Sequence, residues 1–356
     1  MKINARLEDV ARVAGVSTAT VSRALTQPHR VRPATREIVN AVVQRLGYVP
    51  DASARALALG RTQTIGCVIP TLDHAIFARS THALQTTLNT AGYQLLVASH
   101  NYDLESEFDL VQSLQQRGVD GLVLVGTDHH KNLWTNLKQW KKPCVLTWSC
   151  DPRLPSVGFD NAAIAQLATE HLLQLGHRQI AMVSGITRYN DRARQRVEGF
   201  RATLLKHQLS VPNDWIVQEP LTIAGGRAGL SSVLRSASIQ GCMRPTAVIC
   251  GNDLLATGVL LEAQRIGLRV PEDLSICGID NHELSGEISP ALSTINLPTS
   301  DLGRIAAAQM LAALAGTPIA QLSLLPFTLL SRESTSPPAL QKPSKAELAK
   351  KPKSMR

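Results

Sequence analysis

The sequence predicts a small all-α helix-turn-helix headpiece followed by a two-lobed α/β body built on parallel sheets. Three observations carry that prediction. Two short helical stretches flank a glycine turn near the N-terminus, strand and helix patterns alternate from Thr62 onward, and the same alternation restarts after Asn161. The charge distribution agrees with the division. Residues 1–61 hold ten Lys and Arg against four acids, residues 332–356 hold seven against two, and the 270-residue body between them is left at −2. Basic ends on a nearly neutral body are the electrostatic footprint of a nucleic-acid reader.

In the headpiece, Leu7, Val10, Ala11 and Ala14 keep the three-and-four spacing of one helical face. Gly15-Val16 interrupts it, and Ser17 can cap a second helix with Val21, Ala24 and Leu25 facing inward. In a helix-turn-helix the second helix enters the DNA major groove, which puts Thr18, Ala19, Ser22 and Arg23 on its exposed side. Thr18 and Ala19 are short enough for methyl contact or a single hydroxyl bond, while Arg23 reaches a guanine or a phosphate. An ordinary helical hairpin satisfies the same short stretch. A third helix over residues 33–46 starts at Pro33 and places Ile38, Val42 and Leu46 on one face. The alanine-rich run that follows, with Asp51 or Ser53 as cap and Leu57 exposed, is too short to be helical without a partner.

At 356 residues two or three domains are expected, with ample apolar content for a core. The first lobe is read as strands 65–69, 94–98, 121–125 and 144–148, with helices 77–91, 105–117 and 131–140 between them. The second is read as helices 162–175, 194–207, 224–235 and 254–266 with strands 180–184, 215–218, 247–250 and 274–279. Such alternation implies parallel sheets covered on both faces. A helix at 301–315 and one strand at 323–330 are too little for a third lobe. They return to complete the two lobes, giving three crossings at the hinge. The domains expected are thus 1–47, 48–61, 62–333 and a basic Pro-, Ser- and Lys-rich tail, 334–356, disordered by composition.

No signal peptide or membrane-spanning apolar run is visible, which places the chain in the cytosol. The six cysteines are scattered without a CxxC pair and read as buried reduced thiols, not metal ligands. His129-His130 sits in a polar stretch after a strand and reads as a solvated loop. No GxGxxG, Walker A, GxSxG or HExxH pattern is present and no cofactor is implied, although motif absence alone does not exclude a hydrolase on such a fold.

These residues resemble a known family. The runs Leu7-Glu8-Asp9-Val10-Ala11, Gly15-Val16-Ser17, Thr20-Val21-Ser22-Arg23, Thr35-Arg36, Leu46-Gly47-Tyr48 and Pro50 to Leu57 look like the headpiece and hinge of the lactose and galactose repressor family of bacterial regulators. In the body, Gly158-Phe159-Asp160-Asn161, Leu175-Gly176-His177-Arg178, Gly251-Asn252-Asp253, Pro271-Glu272-Asp273-Leu274-Ser275 and Gly278-Ile279-Asp280 resemble its effector-binding portion, related in fold to periplasmic binding proteins. The resemblance covers nearly everything to Arg332. It implies a homodimeric transcription factor, most often a repressor, that reads a palindromic operator in double-stranded DNA under control of a small, carbohydrate-like effector, a sugar, sugar acid or nucleoside. By this resemblance Thr18, Ala19 and Arg23 read bases, and Thr20, Ser22, Arg32, Thr35 and Arg36 hold phosphates. Ala54 and Leu57 of the hinge helix enter the minor groove. Ile76, Phe77 and Trp148 wall the effector site, with Arg196, Asn252 and Asp280 as its polar contacts. Asp280 and Asn252 suit helix caps or turns equally well. Two departures are visible: Arg6 and Arg32 stand where the family carries Ser or Thr caps, so capping must come from elsewhere and Arg32 is free for a phosphate. The tail lacks leucine heptads, which favours a dimer over a tetramer. The competing reading is a transport-type solute-binding protein, against which the headpiece argues.

Overall fold

The computed structural model describes residues 5–49, 56, 60–241 and 243–339. Ala54, Leu57 and the expected hinge helix lie outside the described residues. The chain divides into one unit holding the headpiece and a second holding the α/β body.

The headpiece is three helices, α1 (Leu7–Ala14), α2 (Thr18–Thr26) and α3 (Pro33–Leu46). Val10 and Ala11 of α1, Val21 and Ala24 of α2 and Val39 and Val42 of α3 close one small core. Gly15 ends α1 at φ 67°, a left-handed conformation that glycine adopts without the Cβ clash. Ser17 then starts α2 by accepting from the Thr20 N–H at 3.1 Å. Arginine has no acceptor for the first-turn N–H groups of α1, and the Asp9 carboxylate makes only the reciprocal bond, accepting from the Arg6 N–H at 3.0 Å. Arg32 makes no side-chain cap to α3, which relies on Pro33 in its first turn. One expectation is corrected: Ile38 is 52% exposed, and Val39 takes its place. The inward stripe of α3 passes through Val39, Val42, Val43 and Leu46, one residue around the helix from the expected face.

The body has two six-stranded sheets with the same internal order. The first lobe contains β1 (Thr64–Ile69), α4 (Ala75–Thr90), β2 (Gln94–Ser99), α5 (Leu104–Gln116), β3 (Gly121–Val125), α6 (Lys131–Gln139), β4 (Cys144–Trp148) and β5 (Ser156–Gly158). The second contains α7 (Asn161–Gln174), β6 (Ile180–Gly185), α8 (Asp191–Lys206), β7 (Ile216–Glu219), α9 (Ile223–Ile239), β8 (Ala247–Cys250), α10 (Asp253–Arg265), β9 (Ser275–Asp280), the single turn α11 (Leu284–Glu287) and β10 (Ser293–Asn296). The chain then returns through α12 (Thr299–Leu314), which packs on α4, and β11 (Leu322–Leu324), before ending the second sheet with β12 (Thr328–Leu330). The strand orders are β11-β5-β4-β3-β1-β2 and β12-β10-β9-β8-β6-β7. Register is parallel from β1 across β3, β4 and β5 to β11 in the first sheet and from β7 across β6, β8 and β9 to β10 in the second, where β10 pairs with β12 antiparallel.

The three crossings between lobes fall after β5, after β10 and between β11 and β12. The strand expected over 323–330 is in fact two short strands in different sheets, because Leu325-Pro326-Phe327 carries the chain from one lobe to the other. Two short strands lie outside those expected: β5, buried in the first lobe, and β10 in the second. The expected tail also starts too early. Ser334 is fully buried, its Oγ donating to the Ile276 carbonyl at 2.6 Å and accepting from the Ser293 N–H at 2.8 Å. The Ser336 backbone is held by the Ser275 hydroxyl, which accepts from its N–H and donates to its carbonyl, both at 3.1 Å. Small hydroxylic residues let this strap lie flat on the sheet, which composition alone reads as disorder. Four of the described cysteines, 67, 144, 250 and 277, are buried free thiols, and burial pushes those of Cys67 and Cys144 up to about 12. Cys150 is half-buried. No helix among the described residues is long and apolar enough to cross a membrane.

Candidate nucleic-acid interface and effector cleft

On α2, Thr18, Ala19 and Arg23 are exposed and contiguous, while Thr20 and Ser22 are half-buried beside them. The Thr20 hydroxyl already shares a hydrogen bond of 2.9 Å with Ser17 Oγ, so it braces the helix start as well as facing outward. Arg32 is exposed, and Thr35 and Arg36 are half-buried in the first turn of α3. Among the described residues no carboxylate lies within ion-pair distance of Arg23, Arg32 or Arg36. The expected contact residues therefore form a cationic surface, with Arg32 and Arg36 at the N-terminus of α3, whose backbone dipole also favours phosphate, and Arg23 toward the other end of α2.

In the body, ligands of open α/β folds gather beyond the carboxyl ends of the strands. The residues expected there do converge. Ile76 and Phe77 open α4, Trp148 ends β4, Arg196 lies in the second turn of α8, Asn252 follows β8 and Asp280 ends β9, and all six line one cavity. Phe77 and Trp148 pack edge to face with centroids 5.0 Å apart, and Phe159 backs Trp148 at 6.0 Å. Trp148 and Asp280 both hold positive φ, 72° and 109°. Non-glycine residues in that region are strained, and such strain collects where a site over-determines the backbone.

The polar side is built around two buried charges. The Arg196 guanidinium donates to Asn161 Oδ1 at 3.1 Å and to the Gly251 carbonyl at 2.7 Å, leaving Nη2 3.9 Å from Asp280 Oδ1. Neither Asp280 oxygen has a hydrogen-bond partner although the residue is 2% exposed. Burial pushes its carboxyl up to about 7, with the Arg196 charge opposing and Asp253 assisting. A buried acceptor pair of this kind is costly unless donors reach it. Asn252 resolves both ways: its Oδ1 accepts from the Leu255 N–H at 2.9 Å as the cap of α10, and the same residue lines the cavity. Asp280 caps nothing.

Sequence reasoning missed several residues of this site: His74, Tyr102, Asn190, Arg192 and Leu221 line the same cavity. Arg192 had a usable signal, since it stands one helical turn before Arg196. It escaped notice because the helix was started at residue 194, whereas Asn190 caps α8 and the helix begins at Asp191. That first turn also spans the cleft. Asp191 Oδ2 accepts from Thr127 N–H and Oγ1 at 3.2 and 3.0 Å, its Oδ1 pairs with Arg192 at 2.7 Å, and Arg194 holds Asp128 through two bonds of 2.7 Å. Gly126, at φ 86°, lies so close to the Arg192 guanidinium and Asp191 that a Cβ would meet both. Behind this loop His129 corrects the reading of a solvated pair. It is buried, with Nδ1 2.8 Å from Glu107 Oε1 and Nε2 3.1 Å from the Gly126 carbonyl. His177 is a structural histidine, bonded to Thr246, Ser275 and the Ser336 carbonyl.

A helix-turn-helix presenting cations, joined to a two-lobed α/β body with a polar, aromatic-walled cleft, defines the class of ligand-responsive DNA-binding regulators. Residues 6–51 match the family model for bacterial regulatory proteins of the lacI family, and residues 169–335 match that for a periplasmic binding protein-like domain. The chain is 34% identical to the HTH-type transcriptional repressor PurR of Aliivibrio fischeri over 85% of its own length and 89% of that protein's. It is 33% identical to the ribose operon repressor of Haemophilus influenzae, covering 86% and 91%. The solved lac repressor dimer bound to operator and the anti-inducer ONPF superposes with a TM-score of 0.83 at 27% identity, over 94% of this chain and all of that one. A complex of the regulator CelR with cellobiose gives 0.69 at 27% identity, over 93% and 99%. The protein belongs to the lacI family of bacterial regulatory proteins and is a DNA-binding transcriptional regulator.

Proposed function

We propose that this protein represses transcription by binding a palindromic operator as a homodimer, and that a small polyhydroxylated effector held in the cleft controls that binding, with no enzymatic turnover. The observation that carries the proposal is Asp280: a buried carboxylate with two free oxygens, opposite Arg196 and an aromatic wall, in a chain that also bears a DNA-reading headpiece. The carboxylate accepts from hydroxyl or ring N–H donors, Arg196 donates, and Phe77 and Trp148 cover an apolar ring face. On DNA, Thr18, Ala19 and Arg23 read bases, while Thr20, Ser22, Arg32, Thr35 and Arg36 hold phosphates. The hinge residues Ala54 and Leu57 enter the central minor groove.

An effector that binds the closed cleft better than the open one shifts the lobes toward closure, and so changes the separation of the two hinge segments of the dimer. The sign of the response, induction or corepression, follows from which state holds the hinges ready for DNA. The relatives support this reading by their names and the lac repressor structure by its operator and anti-inducer. The test is selection of half-sites from randomised duplex with the purified protein, followed by titration of the selected operator against sugars, sugar acids and nucleosides. Failure to enrich any duplex sequence removes the regulator reading and restores that of a solute-binding protein.

A further inference from the structure

The cavity around Asp280 opens into a second chamber, with which it shares His74, Tyr102, Asn190 and Leu221. The two differ in size. The inner chamber has a volume of about 30 Å³, room for roughly two waters, whereas the outer one has about 310 Å³. In this conformation the inner chamber has room only for the small donor groups of a ligand, and only the outer one has room for its bulk.

The outer chamber has an uneven chemistry. Besides the shared His74, Tyr102 and Asn190, its polar lining is Thr71, Asn101, Thr222 and Arg188, and among the described residues no acidic one lines it. Arg188 is exposed, held by its own neighbour: the guanidinium lies 4.8 Å from the Tyr189 ring centroid and donates to the Tyr189 hydroxyl at 3.1 Å. Among the described residues it has no carboxylate partner, which leaves most of its five N–H donors unspent. The loop that carries it is fixed, because Thr187 donates from N–H and Oγ1 to Gln218 Oε1 at 3.0 and 2.9 Å and Asn190 caps α8. The other two arginines of the site differ: Arg192 is paired with Asp191, and Arg196 faces Asp280. One uncompensated positive charge therefore stands in the chamber that holds most of the ligand.

We infer that the effector is an anionic polyhydroxy compound, whose hydroxyl groups donate to Asp280 in the inner chamber while its carboxylate or phosphate pairs with Arg188 in the outer one. The inference rests on the reading of the cleft as the effector site. A guanidinium recognises carboxylate and phosphate through the same paired N–H bonds, so both sources share this chemistry.

The full-length protein separates them by thermal-shift and calorimetric titration against three matched series, the D-gluco, D-galacto and D-manno forms of the hexose, the hexonate and the hexose 6-phosphate. A member of one anionic series binds and its neutral parent binds at least roughly tenfold more weakly. Arg188→Gln weakens the anionic ligand roughly 10- to 100-fold without moving the melting point of the unliganded protein. Binding confined to hexonates identifies a sugar acid, and binding confined to the phosphates a sugar phosphate. Neutral hexoses binding as tightly as their anions, unchanged affinity in Arg188→Gln, or no binding across the panel each overturn the inference. Asp280→Asn keeps the two readings apart. Loss of binding in Asp280→Asn with no effect of Arg188→Gln overturns the anion site alone, whereas full affinity in Asp280→Asn removes the cleft reading as well.

Discussion

Asp280 shows at the scale of one residue how a binding site stores unfavourable free energy. Its carboxyl titrates near 3.8 when unfolded and near 7 when folded, chiefly because burial disfavours the charge. Between those values the native protein holds a proton that the unfolded chain has released. The resulting stabilisation is fully present below the unfolded value and is lost as pH rises through about 7, with a slope of at most ~1.4 kcal/mol per pH unit. Buried His100 and His177 and half-buried His171 act oppositely: burial lowers their pKa, so stability from their neutral forms is lost as pH falls. The informative quantity is thus a difference. Denaturant midpoints at pH 5, 6, 7 and 8 should fall more steeply toward high pH in the wild type than in Asp280→Asn, and parallel curves would show that Asp280 does not titrate there. The same carboxylate needs donors when charged, so effector affinity should rise with pH across that window.

At the scale of elements, the two departures from the family's caps have different outcomes. At α1, Asp9 supplies only the reciprocal bond of a cap by accepting from the Arg6 N–H, whereas at α3 Arg32 has not even that and leaves the first turn without a side-chain acceptor. Arg32 has the extended backbone of a cap residue, φ −57° and ψ 138°. Arg32→Ser should therefore stabilise α3 by about 1 kcal/mol, seen as slower amide hydrogen exchange in that helix. It should also weaken binding to all duplexes alike and reduce the salt slope by about one ion, if Arg32 holds a phosphate. An unchanged slope would return Arg32 to solvent. On α2 the expectation differs in kind. A Thr18/Ala19 double variant should change which half-sites are enriched, and unaltered preferences would move base reading to Arg23 or elsewhere. Thr20→Ala now carries two effects, lost outward contact and lost bracing of Ser17, so its loss of affinity should come with reduced helix protection.

For the whole molecule, the first turn of α8 ties the second lobe to the loop after β3 through Asp191–Thr127 and Arg194–Asp128. The Arg194–Asp128 pair is partly exposed, 43% and 23%, so its value is that of a screened surface pair, about 0.5–1 kcal/mol even with two parallel bonds. If closure accompanies effector binding, a double-mutant cycle of Asp128→Ala and Arg194→Ala should show coupling of that size in effector affinity, two- to fivefold, diminishing at high salt. Additive effects would mean that the pair does not distinguish open from closed. Leu57 belongs to this scale too, if, as proposed, the hinge helices form as a pair only on the operator. Leu57→Ser should weaken operator binding far more than binding to random duplex and should reduce the measured bend.

By itself the sequence determined the class of the protein: the helix-turn-helix, the repeated alternation of strand and helix, and six residues that do converge on one cavity. These were legible because they rest on local physics, namely helical spacing, capping at Ser17, apolar runs the length of a strand, and polar residues at strand ends. Tertiary structure alone decided the rest. Ile38 and Val39 are both apolar, and only the neighbouring helices choose which faces inward. The run 323–330 reads as one strand, and only the two separate sheets divide it. His129 looks solvated until Glu107, 22 residues earlier, is folded against it, and Ser334 looks disordered until the Ile276 carbonyl accepts from its hydroxyl and the Ser293 N–H donates to it. Arg188 carries no signal in its neighbourhood of the sequence. Its importance comes from the absence of any acid around a chamber assembled from both lobes, which depends on every residue that lines that space and not on the arginine itself.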